Sequence, residues 1–255
     1  MLVDSSSLRQ CFELVEGITI NTGQIGTTFG VNPILSPHHY CDETPMTDCL
    51  FCNLDSTRSD ILWETDNFFV KVGVGILTPG HIMIIPRRHF SCFGELPKEL
   101  EREFLALKNG VFNRLRSAFR EPIVWEQGIY GQSINHAHLH FVPKKSDNPS
   151  FDNLYKRIFR ELESIELDNI LAIRDIYGEY GQYIYFEEDG RKWAYITEGL
   201  PDREFNFRKE FVRLTGIDGL LDWRTMSEAF RKENEEWVRV TKEKLKASCY
   251  SEVLT

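Results

Sequence analysis

No stretch of this 255-residue chain approaches the roughly 18 consecutive apolar residues that a membrane-spanning helix needs. The opening segment, MLVDSSSLRQCFELVEG, lacks the basic start and unbroken apolar core of a secretory signal. Positive charge is also scarce. The 30 Lys and Arg are outnumbered by 39 Asp and Glu, for a formal net charge of −9, and no long Lys/Arg run is present. Proteins that bind nucleic acid neutralise its phosphates with a basic face. The acidic balance argues against that class, although a local basic groove stays compatible with it. A small phosphorylated substrate needs only a local donor-rich pocket. Cysteine is sparse: of 6, four are scattered at Cys11, Cys41, Cys92 and Cys249, which is no disulfide framework for a chain of this length. No period repeats. A cytoplasmic globular protein is expected, and a reducing compartment leaves the two remaining cysteines free to bind metal.

Apolar residues make up 42% and aromatic residues 13% of the chain, enough for a sizeable core without disulfides. Residues 20–48, rich in Gly, Thr, Pro and Asn, read as an extended arm or loop. It carries His38 and His39, either surface residues or part of a lid or metal contact. ILWETDNFFVKVGV predicts two strands turning at Asp66-Asn67, and HIMII, closed by Pro86, a third. Leu100, Phe104, Leu107, Val111 and Leu115 recur at three and four residues and predict a long helix over 97–120. Strands follow over 122–127 and 134–142. The region beyond a KKSDNPS linker at 144–150 holds a helix candidate at 151–163 and a hairpin around Asp189-Gly190. Two more helices are expected at 207–215 and 225–247. Several closely spaced strands and one long helix predict an α+β domain with an antiparallel sheet.

None of the 7 histidines lies beyond residue 140, and three fall within five residues, His136, His138 and His140, in HAHLHFVP. Alternate residues of a strand share a face. The three imidazoles therefore point one way while Ala137, Leu139 and Phe141 point into the core. A neutral imidazole can be a nucleophile, a general base or a metal ligand, and its other nitrogen must be held by a hydrogen bond. His81 and His89, each bordering a strand, are the candidates to complete the group.

Cys49 and Cys52 form a CxxC, which can chelate a metal, act as a redox pair, or be two buried thiols. With His89 and His136 the count reaches four, a closed zinc shell. Such an ion ties elements together and leaves no open position for water.

These residues resemble the histidine triad (HIT) family of nucleotide hydrolases and transferases over roughly 45–145. The signature is His136-Ala-His138-Leu-His140-Phe-Val, preceded by Gly131-Gln132-Ser133. Upstream, Pro79-Gly80-His81 leads into IMIIPRRH, and zinc-containing members begin with a CxxC like Cys49 and Cys52. The resemblance implies an arm at 1–44, a HIT-like catalytic domain at 45–145, and an α/β extension or subdomain at 146–255. It implies that His138 attacks the α-phosphorus to give a nucleotidyl-histidine, and that His140 donates to phosphate oxygen. His81 would sit near the phosphates or steady the network, and Gln132 and Ser133 would bind phosphate or assist the leaving group. Structural zinc would sit on Cys49, Cys52, His89 and His136.

The chain departs from the family where Glu126 occupies the usual position of an Asn, and Glu126 is carried as a substrate contact in its place. His140, where the uridylyltransferase branch has Gln, favours hydrolysis of dinucleoside polyphosphates or nucleoside phosphoramidates. Transfer to an acceptor other than water and an inactive nucleotide-binding module are the alternatives. The expected partner is a nucleotide, with neither membrane nor nucleic acid, and a homodimer is left open. The extension either packs on the core or closes over the substrate. Its Lys156, Arg157 and Arg160 are phosphate contacts or a solvated face.

Overall fold

In the computed structural model, the described residues are 49–53, 58–73, 75–144, 153–201, 207–216 and 227–251. The arm with His38 and His39, and most of the linker, lie outside them. The first three strands form where alternation and turn residues place them: β1 (Ile61–Glu64), β2 (Phe68–Val72) and β3 (Ile82–Pro86). The long helix α1 spans Glu101–Ala118, shorter than the periodicity predicts, because residues 98–100 wind as a separate 3-10 turn behind Pro97. It is followed by β4 (Pro122–Gly128) and β5 (Leu139–Pro143). The extension contains α2 (Leu154–Ile158), β6 (Ser164–Glu166), α3 (Ile173–Tyr180), β7 (Tyr183–Glu188), β8 (Arg191–Ile196), α4 (Phe207–Thr215) and α5 (Glu228–Ser251). The hairpin turn at Asp189 (φ 52°) and Gly190 (φ 77°) has the paired positive φ of a twist-matched two-residue turn. The helix expected over 151–163 is a single short turn, and β6 and α3 have no counterpart in the sequence reading.

The strands form one eight-stranded sheet, ordered β1-β2-β3-β5-β4-β7-β8-β6, and every pairing is antiparallel. The extension thus continues the sheet across β4. One face carries Val70, Ile84, Leu139, Phe141, Val124 and Tyr185 and packs against Phe104, Leu107, Val111 and Leu115 of α1. A register line crosses the other face: Lys71 opposite Met83, Met83 opposite His140, His140 opposite Trp125, and Trp125 opposite Phe186. That face is covered by Leu154 and Ile158 of α2, Phe207 and Phe211 of α4, and Phe230 of α5.

The strand expected over 134–142 begins only at Leu139. Ahead of it the Ala137 N–H donates to the Phe90 carbonyl at 2.7 Å, and His136 N–H to Ile134 O at 2.9 Å. The segment is therefore pinned to the loop after β3 instead of to a neighbouring strand. Its alternation survives, since Ala137 is buried with Leu139 and Phe141 in the α1 core.

Buried carboxylates fasten the extension to this core. Glu126 of β4 is 0% exposed and accepts from the Phe93 N–H at 2.7 Å and the Tyr183 hydroxyl of β7 at 2.6 Å. Lys108 of α1 reaches Glu187 of β7 at 2.7 Å, and Tyr185 donates to the same carboxylate. Glu188 accepts the Leu154 and Tyr155 N–H groups at the start of α2. Helix α5 closes the end of the sheet: Asn234 donates to Ile76 O at 3.0 Å, and the Gly80 N–H donates to Thr241 at 2.8 Å.

Burial pushes the Glu126 carboxyl up to about 7 from its ordinary 4.5, and the bonds from Tyr183 and Phe93 only partly offset this. Between those two values the unfolded chain ionises while the folded one keeps the proton. Stability from this residue therefore falls as pH rises, and the loss is complete above about 7. The Glu126→Gln variant cannot ionise. Its denaturant-derived stability relative to wild type is expected to rise by about 1–3 kcal/mol between pH 4.5 and pH 8. A difference independent of pH would show that Glu126 is ionised in the folded chain throughout.

Candidate active site

The histidine face is organised by the direction of its hydrogen bonds. The Leu77 N–H donates to His81 Nδ1 at 3.1 Å. In neutral His81 the proton then sits on Nε2, which lies 2.9 Å from His140 Nδ1. His140 Nδ1 accepts that proton's hydrogen bond, so His140 carries its own hydrogen on Nε2. His138 is set separately: its Nδ1 lies 2.6 Å from the His136 carbonyl, which can only accept. His138 Nδ1 is the donor, and Nε2 keeps a free lone pair. The result is a bare nitrogen on His138 beside an N–H donor on His140, with ring centroids 4.8 Å apart.

The surroundings keep these rings neutral. Burial lowers the pKa values of His81, His138 and His140, and the Arg208 guanidinium of α4 lowers those of His81 and His140 further. Trp125 stacks on His140, with centroids 4.6 Å apart and planes 12° from parallel, and Phe207 of α4 lies 4.6 Å beyond Trp125. Arg208 donates to the Gly75 carbonyl. Phe51, between the two CxxC cysteines, packs its ring 5.4 Å from that of His138. Gly73 passes behind His81, where an added Cβ would stand 3.3 Å from the ring.

Beside the nucleophile candidate, the ligand atoms of Cys49, Cys52, His89 and His136 all lie within 4.8 Å of one another. His136 Nδ1 is 3.4 Å from Cys49 Sγ and 3.6 Å from Cys52 Sγ, and His89 Nδ1 is 3.4 Å from Cys52 Sγ. A tetrahedral ion with ordinary metal–sulfur and metal–nitrogen bonds sets that sulfur–nitrogen edge at about 3.5 Å. The second nitrogen of His136 donates to Pro86 O at 2.9 Å, which leaves Nδ1 bare toward the thiols. Burial pushes the His136 pKa down to about 3, so the ring is neutral, as a metal ligand must be. These four residues can hold a metal ion, and they lie next to the histidine pair.

The residues expected from the sequence are not all brought together. His81, His138 and His140 converge, and Cys49, Cys52, His89 and His136 converge beside them. Glu126 does not join them. His140 and Trp125 are cross-strand partners on one face, and the next residue of β4 points to the other. With both oxygens of Glu126 engaged, its expected role as a substrate contact gives way to an anchoring one. Gln132 turns its amide onto Ser91 O at 2.8 Å and onto Gln127 O, fixing the glycine turn, and Ser133 is exposed on that turn. Arg157 donates to the Leu214 carbonyl, and Arg160 pairs with Glu161 at the surface. Sequence reasoning missed Phe51, Trp125, Phe207 and Arg208 as site walls, and it missed Lys71. The signal for Lys71 was a lone lysine in the apolar strand FFVKV.

The chain is similar to known proteins over this region. The HIT domain family model matches residues 56–147, with Cys49 and Cys52 just ahead of the matched segment. The Protein hit of Bacillus subtilis is 25% identical over 130 residues, covering 48% of this chain and 89% of the relative. A bis(5'-adenosyl)-triphosphatase of Dictyostelium discoideum is 29% identical over 115 residues, covering 42% and 74%. A solved hypothetical histidine triad nucleotide-binding protein of Sulfolobus tokodaii aligns at 14% identity over 78% of this chain and 93% of its own, with a TM-score of 0.38. No helix among the described residues is long and apolar enough to cross a membrane.

Because the four ligands come from the CxxC turn, the loop after β3 and the segment before β5, a bound ion would join three parts of the chain. Protein purified without added metal is expected to carry about one ion per chain, and chelation to lower the melting temperature. Elemental analysis is the check. Less than about 0.2 ion per chain in a folded sample would remove the metal from the account.

Proposed function

We propose that this chain hydrolyses a phosphoanhydride, phosphoester or phosphoramidate bond of a nucleotide through a nucleotidyl-histidine intermediate on His138. The observation that carries the reading is the opposed setting of two adjacent rings: a free Nε2 lone pair on His138 and an N–H on His140. A phosphoryl centre needs that pair, one atom to attack phosphorus and one to stabilise charge gathering on its oxygens. The Nε2 lone pair forms a bond to the α-phosphorus, and the leaving oxygen or nitrogen departs with the electrons of its bond. The Nδ1 hydrogen, held by the His136 carbonyl, lets the imidazole accept the positive charge that results. Water then attacks the same phosphorus, the phosphorus–nitrogen bond breaks, and a water proton is lost to solvent. The exposed Ser133 hydroxyl is assigned to the phosphate or the leaving group. Transfer to another acceptor differs only in what replaces water in this second step.

The metal is assigned as zinc at Cys49, Cys52, His89 and His136, since two thiolates and two imidazoles suit it over oxygen-loving cations. When bound, it supplies structural support and no reactive position. The chain's own residues do the rest: His136 carries both a ligand nitrogen and the carbonyl that sets His138. The resemblance of the HIT segment to a bis(5'-adenosyl)-triphosphatase supports a dinucleoside polyphosphate as one substrate class.

His138→Ala is expected to cut turnover by at least about a thousandfold while nucleotide binding persists. Wild type quenched at high pH should carry one nucleoside monophosphate by intact mass, and the variant none. Retention of more than about a tenth of wild-type activity would falsify the nucleophile assignment. Full loss of activity without a trapped adduct would instead make His138 a general base.

A further inference from the structure

We propose that Arg208, on the extension, is a positioning residue of the histidine site: it holds the turn that orients His81 and, through His81, presents His140 as a donor. The kinetic arm of its test rests on the hydrolase reading above, and the spectroscopic arm does not.

From β3 to β6 the sheet runs β3-β5-β4-β7-β8-β6. The runs β3-α1-β4-β5 and β6-α3-β7-β8 are one arrangement used twice: a strand, a helix, and a hairpin whose second strand pairs back with the first strand. The two units meet antiparallel at β4 and β7. One hairpin pairs Pro122 with Pro143, and the other pairs Tyr183 with Ile196. Three residues further along each, Trp125 opposite His140 matches Phe186 opposite Trp193. Trp125 and Phe186 are themselves partners across the junction, so the two units are arranged about that pair. The second unit repeats the frame of the histidine face with Trp193 where His140 stands.

The segment after each hairpin covers the other unit. After β5, Tyr155 stacks on Trp193 with centroids 4.2 Å apart, and Phe159 stacks on Tyr195 at 3.8 Å. After β8, Phe207 lies 4.6 Å from Trp125, which stacks on His140. An arginine follows each phenylalanine. Arg160 pairs with Glu161 at the surface, whereas Arg208 donates to the Gly75 carbonyl. The family match ends at residue 147, so Arg208 reaches the histidine face from outside the matched segment.

What Arg208 grips decides its role. Three successive residues of the β2–β3 turn commit a main-chain group: Gly75 O accepts from Arg208, Ile76 O accepts from Asn234 at 3.0 Å, and Leu77 N–H donates to His81 Nδ1 at 3.1 Å. A turn loosened at Gly75 carries the Leu77 N–H away from His81 and leaves that ring free to take either tautomer. His81 Nε2 is then no longer bound to donate to His140 Nδ1, 2.9 Å away. The guanidinium acts in the same direction through space, since its charge disfavours imidazolium at both His81 and His140. Arginine suits both tasks because it keeps its charge while it donates.

The test compares wild type with Arg208→Met, Arg208→Lys and Arg160→Gln. Arg208 is partly exposed, so the fold tolerates Met there. Imidazole-nitrogen NMR of histidine-labelled protein reads the tautomers. Wild type is expected to hold His81 and His140 as single Nε2–H tautomers, and Arg208→Met to show mixed tautomers at both. In the same variant, kcat on diadenosine triphosphate or adenosine 5′-phosphoramidate should fall about 10–100-fold while KM moves less than about threefold. Arg208→Lys keeps a charged donor and should restore single tautomers and most of the rate. Arg160→Gln, at the equivalent place over the face without histidines, should match wild type in both readouts. Single Nε2–H tautomers in Arg208→Met overturn the proposal, even if its activity or melting temperature falls. So does a kcat within about threefold of wild type, or a loss in Arg208→Lys equal to that in Arg208→Met, which would make the residue a packing element of α4. If wild type turns over neither compound, the hydrolase reading fails, and the tautomers alone decide.

Discussion

A neutral imidazole has one nitrogen that donates and one that accepts, and the chemistry of this site depends on which is which. Two backbone groups decide the matter. The Leu77 N–H can only donate, so His81 Nδ1 must accept, and the consequence passes through His81 Nε2 to His140. The His136 carbonyl can only accept, so His138 must donate through Nδ1. Neither setting requires a carboxylate, which would favour protonated rings. Polarity is imposed by fixed main-chain dipoles in a dry site, where an imidazolium is costly before reaction and charge can develop only during it.

The rest of the fold serves to keep those two backbone groups still. Leu77 lies in the turn between β2 and β3, and Asn234 and Thr241 of α5 grip that turn at Ile76 and Gly80. His136 is held on both sides: Ala137 is bonded to the Phe90 carbonyl, and the His136 ring is bonded to Pro86 and set among the thiols. The extension is therefore part of the frame around the histidine face. It closes the histidine face through Phe207 against Trp125, and it is locked to the core by Glu126–Tyr183 and Lys108–Glu187. Buried ionic and carboxylate links of this kind contribute little net stability, because desolvation offsets attraction. They are, however, destabilising to break, and so they specify one docking.

What could be read from the sequence was what local rules govern. Alternation and turn residues gave β1 to β4 and the β7–β8 hairpin, and the apolar stripe gave α1, because each depends on neighbours within a few residues. The histidine trio and the CxxC were legible for the same reason. Long-range partners hid the remainder. Glu126 sits where a ligand contact was expected, but its role is set by Tyr183, 57 residues away in the chain. The segment 134–138 alternates like a strand and is none, since its partner is the Phe90 loop. Strand β6 is three residues long and gains its identity only by lying against β8, and α3 falls between the elements that the sequence reading assigned to the tail.

The fold's treatment of charge on this face follows from the same exclusion of water. Neutral histidines are what burial favours, so His81, His138 and His140 sit there at little electrostatic penalty. Cations are what burial opposes, yet Arg208 lies close enough to act on His81 and His140, and Lys71 is buried in β2. Arg208 is anchored to a main-chain carbonyl and keeps its charge at any relevant pH. Lys71 has no such anchor and titrates more readily. Neutral rings beside a fixed cation give the face a potential that suits an anion. A phosphoryl substrate at this site would meet uncharged imidazoles, with the positive charge of Arg208 acting on the same face.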